Sequence, residues 1–97
     1  MTPEDILPDT ACPALLRGVR THWDKVRDRW VLLAPERAMM LDEIGAAVLR
    51  ETDGKTPFAE IVSRLCKTYS APPEQVAQDT RGFLVSLIQR RMAEARL

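Results

Sequence analysis

Three short extended patterns followed by three helical patterns constrain this chain more than any other feature. Residues 19–25 alternate with a period of two, residues 30–33 form a short apolar run, and residues 37–41 resume extended character after Pro35. Such runs, separated by turn residues, are typical of β-strands, and here they predict a three-stranded antiparallel meander. Because a small sheet needs a covering layer on one face, we expect the helices to pack on it.

The helical patterns begin at Asp42, whose carboxylate can cap the first helix, and Gly54 fits the left-handed position that closes it. Thr56 and Pro57 are predicted to open the second helix as its cap and its first residue. After two prolines, a third helix is predicted to end near Arg91. The second helix has the clearest amphipathic spacing, with apolar residues at Phe58, Ile61, Val62, Leu65, Cys66 and Tyr69.

The expected fold is a single α+β, winged-helix-like domain in which the three-stranded antiparallel sheet is followed by three helices. This domain spans residues 17–92, and residues 93–97 are expected to be a short tail that is either frayed or extended. Residues 1–16 contain three prolines and little periodicity, so they predict a flexible N-terminal segment. No apolar run approaches the roughly 20 residues that span a bilayer. Because the acidic start is also unlike a signal peptide, we expect a cytoplasmic protein without a membrane partner.

No pattern in the chain indicates catalysis or a cofactor. His22 is the only histidine, and Cys12 and Cys66 lie far apart without metal-ligand spacing. The four glycines are scattered, so no phosphate-binding loop exists. Asp42 and Glu43 both have helix-capping explanations. We therefore expect a protein that is not an enzyme, with no catalytic residue, no metal site and no cofactor.

The third helix leaves a winged-helix DNA-binding regulator as an alternative, because two helices joined by a proline-containing break resemble a helix-turn-helix. Against it, this helix has Arg81, Arg90 and Arg91 beside Glu74 and Asp79, and the whole chain has 14 basic and 14 acidic residues. Nucleic-acid affinity needs clustered cations, so no nucleic-acid partner is expected. An accessory domain without a ligand of its own is a further alternative.

The predicted strand at residues 37–41 is a second candidate surface, because it ends in two methionines and a leucine. Methionine is flexible and common at surfaces that accept varied apolar side chains. If this strand is a sheet edge beside the third helix, an extended peptide could pair with its backbone and place side chains in the groove. The alternative is that Met39 and Met40 only fill the core, although a period of two directs at least one of them away from it.

Local features of residues 29–65 follow one another in a recognisable order: the strand RWVLLA, a Pro-Glu turn, a strand ending in Leu41, a short helix closed by Gly54, and a helix that begins TPFAEI. The pattern of residues 76–88, with Asp79 and Phe83, continues that order. Together, residues 17–92 resemble the PqqD family, small peptide chaperones of pyrroloquinoline quinone (PQQ) biosynthesis. The family commonly ends in a Gly-Leu-type tail after the third helix, whereas this chain has Arg91 and Met92 there.

The resemblance implies a non-catalytic recognition element for a ribosomally made precursor peptide (a RiPP recognition element). Such a protein binds the precursor peptide PqqA and presents it to the radical-SAM enzyme PqqE. The peptide would lie as an added strand against the third strand, in the groove beside the third helix, with apolar pockets near Met39, Leu41 and Leu84 and with Arg37 and Arg81 pairing with its acids. The peptide-binding residues implied in this way are Arg37, Ala38, Met39, Met40, Leu41, Val76, Ala77, Thr80, Arg81 and Leu84.

Overall fold

The computed structural model describes all 97 residues. Its elements, in chain order, are α1 (Pro3–Ile6), β1 (Cys12–Leu15), β2 (Arg20–Asp24), β3 (Arg29–Ala34), β4 (Arg37–Met40), α2 (Glu43–Arg50), α3 (Phe58–Thr68), α4 (Pro73–Gln89) and β5 (Ala93–Arg96). None of these helices combines the length and the apolar character that crossing a membrane requires.

Strands β2, β3 and β4 form the predicted three-stranded antiparallel meander, with β3 in the centre. The β2–β3 turn depends on Asp24, whose carboxylate accepts the backbone N–H groups of Val26 and Arg27. The bond from Arg27 is the largest cause that holds the pKa of Asp24 below its ordinary value. Asp28 closes the turn with φ 55°, a left-handed conformation that Asp tolerates better than most residues. Because β3 is the central strand, β2 and β4 are the two edges of this sheet.

The helices that follow the sheet cover one of its faces, which we call the inner face. Leu32 of β3 is fully buried there in one cluster with residues of α3 and α4, among them Phe58, Ile61, Leu84 and Leu87. Burial of one such side chain contributes about 1.5–3 kcal/mol, so this cluster is the main apolar contribution to the fold. The predicted α+β arrangement is confirmed.

Helix α2 begins as predicted, because the Asp42 carboxylate accepts the backbone N–H of Gly45 at 2.6 Å. Gly54 has the predicted left-handed conformation, with φ 77°. The helix itself already ends at Arg50, so Gly54 shapes the loop after it rather than its last turn.

The prediction that Thr56 caps the next helix is wrong. Helix α3 begins at Phe58, and its cap position is held by Pro57, which has no side chain that can accept a hydrogen bond. Thr56 is engaged elsewhere, since its N–H and its hydroxyl both donate to the Asp53 carboxylate. Together with the backbone N–H of Lys55, the largest cause, these bonds lower the pKa of Asp53.

Both ends of the chain contain regular structure, so the predicted flexible segment at residues 1–16 is wrong, whereas the C-terminal residues are extended, one of the two predicted forms. Thr2 and Asp5 form a reciprocal capping box on α1. β1 pairs antiparallel with β5 over four residue pairs, and Leu7 and Ala11 are completely buried. Each strand is only four residues long and its partner lies at the other end of the chain, so no local pattern in the sequence marks the pairing.

Arg81 attaches the N-terminal segment to α4. Its Nε donates to the carbonyl of Leu7 at 3.0 Å, and its Nη2 pairs with the Asp9 carboxylate. The guanidinium also lies 4.4 Å from the centre of the Phe58 ring, which gives a cation–π contact. Because a largely buried charge is tolerated only when its partners satisfy it, these contacts act as a unit that joins α3, α4 and residues 7–9.

Replacement of Arg81 by methionine is expected to lower the free energy of unfolding by about 2 kcal/mol, because the buried Leu7 carbonyl loses its donor. Asp9→Asn is expected to cost less than about 1 kcal/mol, since the Asp9 side chain is 70% exposed and water screens its ion pair. Urea denaturation of both variants measures the difference. Equal losses in the two variants would contradict the importance of the buried contacts.

Helix α4 ends in a Schellman motif. The N–H of Met92 donates to the carbonyl of Leu87 at 2.9 Å, and the N–H of Arg91 donates to that of Ile88 at 3.0 Å. Arg91 consequently has φ 59°. Glycine takes this left-handed conformation without the steric cost of a Cβ, so an arginine occupies a position at which glycine is usual.

Arg91→Gly is therefore expected to raise the free energy of unfolding by about 1 kcal/mol. The neighbouring Arg90→Gly is the matched control, because Arg90 has φ −86°, so glycine there relieves no strain, adds flexibility to the unfolded chain and removes the contact with Met39. Urea denaturation is expected to move the two variants in opposite directions. A loss of stability in Arg91→Gly would show that the arginine conformation is not strained.

Candidate peptide-binding site

At the free edge of β4, the backbone N–H and C=O groups of Ala38 and Met40 point away from the sheet. The N–H of Leu41 donates to the carbonyl of Trp30 at 2.9 Å, so these two residues form a hydrogen-bonded pair. Bonded and non-bonded pairs alternate in an antiparallel ladder, which places residues 37 and 39 in bonded pairs with β3 and residues 38 and 40 between them. Unpaired N–H and C=O groups on alternate residues form a template for another strand.

The side chains of β4 divide between the two faces of the sheet. Leu41, just after the strand, is buried, and Met39 packs against the core from the inner face. Met40 is 58% exposed on the outer face, where Arg29 Nη1 lies 3.5 Å from its sulfur. One methionine therefore faces the core and the other faces away, as a period of two requires.

Helix α4 forms one wall of a groove beside this edge, which we call the β4–α4 groove and define by Met39, Ile44, Phe83 and Arg90. Arg90 Nη1 lies 3.3 Å from the sulfur of Met39. The Phe83 ring packs against α2 at Gly45, where an added Cβ would lie 3.4 Å from Cζ of the ring. A cavity of about 240 Å³ lies between α2 and α4 at this point, and Ile44 beside it is 56% exposed. At this point of the groove the apolar side chains of Ile44 and Phe83 lie beside the carboxylates of Asp42 and Asp79.

The helix residues predicted for the site do not share one surface. Leu84 is completely buried and belongs to the core. Val76 and Thr80 border the groove through a small cavity of about 100 Å³. Ala77 and Arg81 instead line a cleft of about 800 Å³ between α4 and the N-terminal segment. The structure therefore brings only Val76 and Thr80 of this set towards the β4 side of the helix.

The two arginines expected to pair with acids of a peptide differ in their surroundings. Arg81 is already bound to Asp9 and to the Leu7 carbonyl, so its guanidinium is not available to a ligand in this conformation. Arg37 is exposed at the start of β4 and makes no ion pair. The burial of Arg81 also removes one of the surface cations on which the DNA-binding alternative relies.

The residues predicted for the site do not include Phe83 and Arg90, which the structure places at the β4–α4 groove. Phe83 belongs to the apolar stripe of the third helix, so the sequence pattern predicts a core position for it rather than a position at the groove. Asp79, Phe83 and Arg90 are separated by four and then seven residues, a spacing that places all three on one side of a helix. That line, distinct from the buried stripe through Leu84, is the signal that could have identified them.

The family model of Coenzyme PQQ synthesis protein D (PqqD) matches residues 29–93. The chain belongs to the PqqD family. One relative, the PqqA binding protein of Rhizobium meliloti (strain 1021), is 40% identical over 89 residues, which cover 92% of this chain and 91% of that protein.

Two solved structures share the PqqD fold. The solution NMR structure of the PqqD truncation of Methylobacterium extorquens PqqCD, a functional and stand-alone RiPP recognition element, has a TM-score of 0.78 and 39% identity and covers 97% of this chain and 99% of its own. TbiB1 in complex with the TbiA(beta) leader peptide has a TM-score of 0.72 and 25% identity and covers 84% of this chain and 94% of its own. The predicted family and fold are therefore confirmed.

Proposed function

We propose that this protein is a non-catalytic peptide chaperone of PQQ biosynthesis that binds the precursor peptide PqqA and presents it to the radical-SAM enzyme PqqE. The PqqA-binding relative, which is similar along most of its length, supports the identity of the peptide. The similarity to TbiB1, whose structure holds a leader peptide, supports binding of a leader peptide by this fold.

The peptide binds by strand addition to β4. The observation that carries this proposal is the pair of outward-facing residues, Ala38 and Met40, on an edge that lies beside the β4–α4 groove. Each residue offers one donor and one acceptor, so a paired strand gains up to four backbone hydrogen bonds. Its alternate side chains enter the groove between Met39 and Phe83, where the flexible methionine adapts to their shapes.

Backbone pairing alone does not balance the cost of ordering the peptide. Fixing four residues costs about 4–8 kcal/mol of conformational entropy, whereas four hydrogen bonds return about 1 kcal/mol each. Each apolar side chain that becomes fully buried adds about 1.5–3 kcal/mol. Two or three apolar side chains in the β4–α4 groove are therefore needed, and they select the register that backbone pairing leaves open.

The short length of β4 is compatible with presentation of the bound peptide to an enzyme. β4 is four residues long, so strand addition occupies a short segment and leaves the rest of the precursor outside the groove. A peptide strand added at a sheet edge pairs through the backbone groups on one of its sides, and those on its other side remain unpaired. The segment that an enzyme modifies can therefore remain free while the bound segment is held in place.

Ala38→Pro tests strand addition, because proline removes the outward N–H of the β4 edge and is tolerated at edge positions whose N–H faces solvent. We expect this variant to remain folded and to bind PqqA at least about tenfold more weakly in a calorimetric titration. Thr21→Pro is the matched control, since the register directs the Thr21 N–H outward from the opposite edge of the sheet.

The control variant is expected to bind PqqA within about twofold of the wild-type protein, a difference of less than about 0.5 kcal/mol. Circular dichroism of both variants establishes that the fold is intact. Normal PqqA binding by a folded Ala38→Pro variant would exclude strand addition at β4, and equal losses in both variants would show that the effect is not specific to that edge.

A further inference from the structure

Four arginines surround one cavity at the end of the sheet where β4 begins. The cavity has a volume of about 300 Å³, and Glu36 is the only acidic residue in its lining. None of the six ion pairs in the structure involves any of these arginines. They come from the segment before β2, from β4 and from the end of α4, and they are Arg17, Arg37, Arg90 and Arg91.

The cluster is not explained by the end of α4 alone. Cations at the last turn of a helix offset its dipole, which accounts for Arg90 and Arg91 taken by themselves. It does not account for the two further arginines that the fold brings to the same cavity. The helix dipole also does not explain why position 91 carries an arginine, because its left-handed backbone favours glycine. Backbone strain at an exposed charged residue points to a use for its side chain.

The cavity shares two residues with the proposed peptide site. Arg37 is the first residue of β4, and Arg90 belongs to the β4–α4 groove through its contact with Met39. A thioether is a weak acceptor, so the guanidinium of Arg90 retains donors for a stronger partner. Asp42 and Asp79 line the cavity between α2 and α4, so the groove is basic at one end and acidic further along.

We propose that this arginine cavity binds the carboxylates of Asp or Glu side chains in the part of the bound peptide that passes the Arg37 end of β4. The proposal rests on the proposed function and specifies its ligand. Guanidinium groups match carboxylates with two parallel hydrogen bonds, which gives geometric selectivity as well as attraction. Charge complementarity at one end of a short strand fixes its register and the end from which it enters.

The test compares PqqA with a PqqA variant in which all Asp and Glu residues are replaced by Asn and Gln. For the Arg37→Gln/Arg91→Gln protein, we expect affinity for PqqA at low salt to fall by about tenfold or more, and affinity for the amide peptide to stay within about twofold of wild type. Arg20→Gln is the control, because Arg20 is exposed, unpaired and outside the cavity. It is expected to bind both peptides as the wild-type protein does.

Arg91→Gly separates binding from folding. This variant is expected to unfold at higher urea concentration than the wild-type protein and yet to bind PqqA more weakly, a combination that loss of structure cannot produce. Equal affinity of the wild-type and double-variant proteins for PqqA would overturn the arginine site and leave strand addition intact. The arginine site would also be overturned if the double variant lost affinity equally for PqqA and for the amide peptide. It would be overturned as well if the double variant lost affinity only for a duplex DNA probe. Failure of the wild-type protein to bind PqqA would overturn the proposed function and the arginine site together.

Discussion

The buried guanidinium of Arg81 is the interaction on which the geometry of the site depends. It fixes α4 against the Phe58 ring of α3 and against the backbone of residues 7–9, in a part of the chain that has no long element of its own. Because α4 is one wall of the β4–α4 groove, this attachment also sets the distance between Phe83 and the sheet. The N-terminal segment therefore supports the groove through its contacts with α4.

An exposed sheet edge is normally a liability, since it can pair with other chains. In this protein β4 is kept short and carries an arginine at its start. The other small sheet satisfies the ends of the chain by pairing β1 with β5. Of the two free edges of the meander, β2 and β4, only β4 lies beside the β4–α4 groove. The start of β4 also lies at the cavity of unpaired arginines, and this favours a partner with both apolar and acidic side chains.

Much of the fold could be predicted from the sequence, because the strands of the meander and the three long helices each carry a local pattern. The period of two in β2 and the amphipathic spacing of α3 are examples. The β1–β5 pairing could not be predicted, since two four-residue strands at opposite ends of the chain contain no periodicity that links them. The site was predicted less well than the fold. The sequence suggests that Arg81 is a surface cation, whereas in the structure it is buried beneath Leu7 and Asp9. The sequence likewise suggests that Phe83 is a core residue, whereas in the structure it borders the groove beside Gly45.

Amide hydrogen exchange, measured with and without PqqA, tests strand addition most directly. The N–H groups of Ala38 and Met40 face solvent in the free protein, so both are expected to exchange rapidly and to become protected when the peptide pairs with them. The amides of Thr21 and Trp23, which face outward from the opposite edge, are expected to exchange at the same rate in both samples. Saturating PqqA without protection at Ala38 and Met40, or with equal protection at both edges, would contradict binding at β4.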